Sequence, residues 1–239
     1  MRRIINLYRT TIGKKVVMAT TGIVLVLFVI GHMLGNLKIF AGPGHDGKLA
    51  KIDTYGIFLR EFGHDLFGPE GFLWLVRLVL LAAVVLHAIS AYQVWRVSSA
   101  ARPIGYKKQE SVASTYASRT MRYGGIILAA FIVYHILHFT TGTAHPDFER
   151  LTGEYAGHAA VYHNVVSGFQ NPIASGFYIV AMLFLGLHLY HGIWSSLQTL
   201  GVSNPRYNGW QRALSVTVAV IVAGGNILIP VAVLAGIVH

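Results

Sequence analysis

The chain has 239 residues, 54% of them hydrophobic and only 12% charged, with a mean hydropathy of +0.55, a composition outside the soluble globular range and inside that of integral membrane proteins. Cysteine is absent, which excludes disulfides and thiolate-ligated iron–sulfur clusters within the chain and leaves histidine as the abundant ligand for softer metals. The formal charge of +10 would suit nucleic acid, but lysine and arginine gather at the ends of apolar runs, where they orient helices and meet anionic lipid, so nucleic-acid binding is set aside.

Five runs approach or exceed the roughly 20 apolar residues that cross a bilayer. The first, 16–37, follows Arg2, Arg3, Lys14 and Lys15 as a signal peptide would, but its length and the lack of a small-x-small cleavage site predict a retained span. It carries Gly31, His32 and Gly35. The following loop mixes apolar and polar residues at helical spacing over 49–60, which predicts a short helix at the interface. The second span, 71–97, contains Arg77 and His87. The third, 123–141, contains Gly124, Gly125, His135 and His138. Asn171-Pro172 marks the entry to the fourth, 172–200, because proline is tolerated in a helix's first turn; this span carries Gly186, His188, His191 and Gly192. The fifth is 213–238.

A single all-α domain follows, a five-transmembrane-helix bundle without repeats. Arg2, Arg3, Arg9, Lys14 and Lys15 precede span one; Arg96, Arg102, Lys107, Lys108, Arg119 and Arg122 lie between spans two and three; Arg206 and Arg212 lie between four and five. The opposite side mixes its lysines and arginines with Asp46, Asp53, Glu61, Asp65, Glu70, Asp147, Glu149 and Glu154, against only Glu110 on the basic side. The positive-inside rule predicts a cytoplasmic N-terminus and an outer C-terminus.

An ionisable or metal-binding side chain in a lipid-spanning helix is costly to bury and tends to mark function. Four spans each hold a histidine at depth: His32, His87, His135 with His138, and His188 with His191. At ~1.5 Å per residue, His32 stands about 25 Å from Lys15 and His135 about 20 Å from Arg122, whereas His87 stands about 13 Å from Arg96 and His188 roughly 18 Å from Leu200. The arithmetic separates an outer pair from an inner pair, each drawn from two helices, and suits two stacked bis-histidine haems. Such a site has no open coordination position and would carry electrons rather than bind oxygen.

Spacing alone leaves open which member of each doublet is the ligand, since residues three apart share a helix face. The second histidine, His138 or His191, could contact a haem propionate or quinone. Arg77 either pairs with a propionate or snorkels to the interface. The glycines beside the histidines either bring helices together or leave room for a flat macrocycle. His45, His64, His145, His158, His163 and His239 fall in loops or at the terminus and read as solvated surface. No span contains Asp or Glu, so electrons are expected to cross without a carboxylate proton relay.

The stretches Phe28-Val-Ile-Gly-His32-Met-Leu-Gly-Asn36, Leu86-His87-Ala, Val133-Tyr-His135, Phe177-Tyr-Ile and His188-Leu-Tyr-His-Gly-Ile-Trp-Ser195 together resemble the cytochrome b membrane-anchor subunit of succinate:quinone oxidoreductases, in the single-chain, two-haem type that also occurs in fumarate reductases. The resemblance implies two haem b groups, the outer on His32 and His135 and the inner on His87 and His188, with His138 and His191 as neighbours. It further implies a flavoprotein and an iron–sulfur subunit as partners, for which the cytoplasmic basic rim, including Arg102, Lys107, Lys108 and the N-terminal Arg/Lys group, is the expected docking surface. Quinone, commonly menaquinone, would be reduced near the outer haem, and the setting would be the cell inner membrane. Competing readings are a b-type subunit of nitrate reductase, formate dehydrogenase or hydrogenase, and a haem-free anchor; a transporter would require inverted repeats and broken helices, which the sequence lacks.

Overall fold

A computed structural model describes residues 8–44, 47–101, 116–202 and 204–239. His45, Asp46, Arg2, Arg3, Arg102, Lys107, Lys108 and Glu110, used above to read topology, docking or surface, lie outside the described residues. The described chain is all-α, and five of its helices are long and apolar enough to cross a membrane, as expected of a multi-pass membrane protein. Helices satisfy their own backbone hydrogen bonds, which is what an apolar solvent demands of a single spanning segment.

Helix α1 is Thr11–Asn36 and tightens into a 3-10 turn, Leu37–Ala41. The interfacial helix expected over 49–60 is α2, Lys51–Glu61, and the single turn α3, His64–Phe67, follows. Helix α4 is Gly71–Ala100. Helix α5, Tyr116–His135, passes directly into a π turn, Ile136–Thr140. Next come α6, Val161–Gln170, α7, Pro172–Thr199, and α8, Asn208–Leu234.

The ends of the spans have local causes. At the entry to α7, the Asn171 side-chain oxygen accepts the backbone N–H groups of Ile173 and Ala174, at 2.9 and 3.3 Å. Asparagine caps the helix and Pro172 occupies a position whose missing N–H costs nothing. Helix α8 stops before the expected 238 because Gly236 takes a left-handed conformation, φ 69°, and the N–H of Ile237 returns to the Ala232 carbonyl at 2.9 Å. Glycine supplies that conformation without a Cβ penalty.

Helix α6 was not expected from the sequence. Its apolar residues, Val161, Tyr162, Val165, Val166 and Phe169, do fall on one helical face, but ten residues are too few to form a stable helix alone. Support comes from α2, which packs against it: Asp53 is buried and its Oδ1 accepts the Tyr162 backbone N–H at 2.9 Å. Burial raises the Asp53 carboxyl above its ordinary value, against the backbone donors of Tyr162, Val161 and Ala50, which favour the ionised form. A raised folded pKa adds stability below about pH 4 that is lost as pH rises through the shifted value. Asp53→Asn keeps an acceptor oxygen for Tyr162 and should flatten this pH dependence in thermal melts. Asp53→Ala removes the cap and should cost about 1 kcal/mol.

The described residues fall into two compact units. One contains those of Met1–Phe28, Arg77–Met121 and Leu187–Ala219; the other contains Val29–Val76, Arg122–Gly186 and Val220–His239. In the first unit, the fully buried Gln211 donates to the Val202 carbonyl at 2.6 Å, Ser215 donates to the Gln211 carbonyl at 2.8 Å, and the Arg212 guanidinium lies 4.6 Å from the Trp194 ring centre. The core of the second gathers Ile39, Ile52, Val166, Phe169, Tyr178, Ile229, Ala232, Val233 and Val238.

Candidate functional site

In the second unit, α1 and α5 bring His32 and His135 together, edge to face. Their ring centres are 5.7 Å apart with the planes at 86°. Phe131, one turn before His135, lies along its ring at 5.7 Å and 27°. Of the two glycines around His32, one is a packing position. A Cβ at Gly35 would stand 2.6 Å from the Tyr55 ring, so Gly35 permits close packing, though against α2 rather than a spanning helix. A Cβ at Gly31 would meet nothing within 4 Å, so the space beside His32 is open.

In the first unit, α4 and α7 bring His87 and His188 together, ring centres 6.1 Å apart with the planes at 58°. His87 Nδ1 lies 3.0 Å from the Met18 carbonyl oxygen. A carbonyl only accepts, so Nδ1 carries the proton and Nε2 of the neutral ring keeps its lone pair. Gly22 makes this approach possible, because a Cβ there would stand 3.3 Å from His87 Cε1. The Nδ1 of His188 is buried and has no hydrogen-bond partner among the described residues, a polar atom whose desolvation the protein does not offset.

The second member of each doublet behaves differently. His138, 3% exposed, is sandwiched by Tyr134 at 5.2 Å, Phe139 at 4.2 Å and His145 at 4.8 Å. Its Nδ1 lies 3.2 Å from the Tyr178 hydroxyl, which also stands 3.3 Å from His135 Nδ1. His191 is half-buried on α7, one turn beyond His188, and Arg77 is half-buried near the start of α4. The surface reading is wrong for His145, which is 5% exposed. Its Nε2 donates to the Asn164 carbonyl at 2.8 Å and its Nδ1 accepts the Asp147 N–H at 3.2 Å, so it is a neutral structural histidine. His163 lies on α6 rather than in a loop and donates to the Asp147 carbonyl at 3.2 Å. His64 is exposed, as expected.

Gly168 on α6 makes the sandwich possible. A Cβ there would stand 2.8 Å from Phe139, 2.9 Å from His145 Nε2 and 3.1 Å from His138 Cε1.

The site residues that sequence reasoning missed are therefore Tyr178, Gly22, Thr21 and the Met18 carbonyl. Thr21 donates to the Val17 carbonyl at 2.6 Å, and its hydroxyl lies 3.5 Å from His87 Nδ1. Tyr178 carried a signal, a phenol ten residues before His188 within an apolar span, since a buried tyrosine hydroxyl needs a partner. A main-chain carbonyl carries none.

Both pairs fit a porphyrin better than a bare ion. Among the described residues, no group of three or more His, Cys, Asp or Glu is placed to hold a metal. A bare transition metal takes three or four protein ligands; a porphyrin supplies four nitrogens and asks for only one or two axial residues. Two metal–imidazole bonds of roughly 2.0–2.1 Å, with the ring radius added on each side, require ring centres about 6 Å apart. Both observed separations are close to that. Comparison of the chain with protein-family models, with curated proteins and with solved structures finds no match.

Proposed function

We propose that this chain is the two-haem cytochrome b membrane-anchor subunit of a succinate:quinone oxidoreductase, with one haem b on His32 and His135 and another on His87 and His188. The observation that carries the reading is the pairing itself: two adjacent imidazole pairs, each from two different apolar helices, with 5.7 and 6.1 Å between ring centres and no third ligand among the described residues. When bound between two imidazoles, haem b supplies a one-electron carrier with no open position for oxygen.

The chain's own part is to hold and insulate. His87 is fixed in the tautomer with a bare Nε2 by its bond to Met18, and His135 is held at Nδ1 by Tyr178. The apolar spans contain no aspartate or glutamate, so they bring no carboxylate of their own to either pair. Electrons would enter from an iron–sulfur subunit, reduced in turn by a flavoprotein that oxidises succinate, and leave to membrane quinone, for which menaquinone is the expected partner. Arg77, His138 and His191 are the candidates for propionate or quinone contacts. The bias of Lys14, Lys15, Arg206 and Arg212 to one side supports a cytoplasmic N-terminus in the cell inner membrane.

The specific assignment to succinate rests on the resemblance around His188. The test is a reduced-minus-oxidised spectrum of the purified full chain with haem quantified against protein, followed by purification from its own membranes and assay for succinate oxidation. Two b-type haems per chain are expected, with a succinate-oxidising flavoprotein in the same complex. A chain without a b-type band is a plain anchor at most. Two haems accompanied by a nitrate, formate or hydrogen enzyme would move it to another respiratory complex.

A further inference from the structure

We infer that the Tyr178 hydroxyl is a positioning residue for the His32/His135 centre, fixing which nitrogen of His135 faces the metal through a hydrogen-bonded chain His135–Tyr178–His138. This rests on the haem reading proposed above and adds a side chain that neither the histidine spacing nor the helix pairing identifies.

The argument is a count of protons. A phenol has one proton to donate and lone pairs with which to accept. Its oxygen lies 3.3 Å from His135 Nδ1 and 3.2 Å from His138 Nδ1, and it cannot donate to both. At least one imidazole therefore donates its own N–H to the phenol oxygen, and the phenolic proton has a receiver in the chain only when the other imidazole accepts it. The ring that donates from Nδ1 is the one left with a bare Nε2.

The surroundings decide which ring that is. His135 faces His32. His138 instead faces Tyr134, Phe139 and His145, and both nitrogens of His145 are already engaged, with Asn164 and Asp147. His135 is the ring with a partner suited to share a metal, so it donates to Tyr178, and Tyr178 donates to His138. Each bond then polarises the next in the same direction.

The phenol is well held for this task. It is 6% exposed and met nearly edge-on by Phe131 at 5.0 Å and Phe169 at 4.9 Å. The π turn begins immediately after His135, and such turns are common at functional sites. The other pair is controlled differently, since His87 donates to a main-chain carbonyl that no side-chain substitution removes. A change at Tyr178 should therefore be felt at one centre only.

An acceptor on a ligand's outer N–H raises its basicity and fixes its orientation. Tyr178→Phe keeps the ring and deletes the acceptor. In the purified full chain, redox titration should show the midpoint potential of the His32/His135 centre rising while that of the other stays, and the ferric low-spin resonance of the same centre should shift. Haem affinity there should fall by roughly 10–100-fold. His87→Ala, which retains only the His32/His135 centre, identifies which signal moved. His138→Phe keeps the aromatic stack but removes the acceptor for the phenolic proton, and should give a smaller shift of the same sign.

A wild-type chain with no b-type signal overturns the haem reading. Two haems in the wild type, with both unchanged in Tyr178→Phe or both shifted alike, overturn the role of Tyr178 and leave that reading standing. Should Tyr178→Phe fail to accumulate, His138→Phe decides, and an unshifted His32/His135 centre in it refutes the chain of bonds.

Discussion

Replacing His32 or His135 by alanine should remove one b-type haem and spare the other, and replacing His87 or His188 should remove the complementary one. The reason is geometric. His32 and His135 lie together in one compact unit, and His87 and His188 lie together in the other. On the haem reading, removing one histidine of a pair would delete a metal bond outright, so the loss should exceed the 10–100-fold in affinity that follows from changing an outer-shell partner. The ratio of haem to protein should fall from two to one in each single variant. The double variant His32→Ala/His135→Ala should look like either single, because the two act as a unit and their effects do not add. His138→Ala and His191→Ala should keep both haems. Loss of both haems from any one ligand variant, or loss of a haem in His138→Ala with retention in His135→Ala, would contradict the pairing.

The five spans were legible because a long apolar run admits one solution in lipid, a helix that satisfies its own backbone. Which histidines lie close was legible too: depth along each helix is a linear measure, and similar depths on different helices place side chains within reach, as for His32 with His135 and His87 with His188. What could not be read was everything set by non-local contact. Helix α6 depends on Asp53, 109 positions away from the N–H it accepts, and without that cap its short apolar face looked like loop. His145 lies outside the spans, where sequence alone favours a solvated surface, yet it bonds Asn164 and Asp147. The doublets were ambiguous for a related reason, since helical spacing puts both rings on one face. Only the partners across the gap, His32 for one ring and an aromatic sandwich for the other, separate them.

Those partners also weigh against a duller account of the histidines. A lone imidazole in a membrane helix usually hydrogen-bonds a neighbour, and His138 does so, with Tyr178 and a ring on each face. His87 uses Nδ1 for such a bond and lies 6.1 Å, centre to centre, from the His188 ring. His188 has a buried Nδ1 with nothing to bond among the described residues. An unmet buried polar group costs about 1–3 kcal/mol, and a ligand bond from Nε2 would leave that Nδ1 unmet as well. His138 is enclosed and bonded, whereas His87 and His188 lie against each other, the division between supporting and ligating histidines that the haem reading requires.

Gly22 offers a test of that division that leaves every histidine in place. On α1 it lies beside Met18 and Thr21, the residues that receive His87, and a Cβ there would stand 3.3 Å from His87 Cε1 and 3.5 Å from Nδ1. Alanine requires the ring to yield by a few tenths of an ångström, stretching the bond to Met18. In the helix itself alanine is favoured over glycine by about 1 kcal/mol, so Gly22→Ala should not weaken α1. Any loss at the site then comes from the imidazole, and about tenfold in haem affinity at the His87/His188 centre is expected, at the low end of outer-shell effects. Gly22→Leu extends over the ring and should abolish that centre while sparing His32 and His135, read as one haem per chain with an unchanged second spectrum. If Gly22→Leu keeps both haems with unaltered potentials, His87 does not sit against α1 as described, and the His87/His188 assignment fails with it.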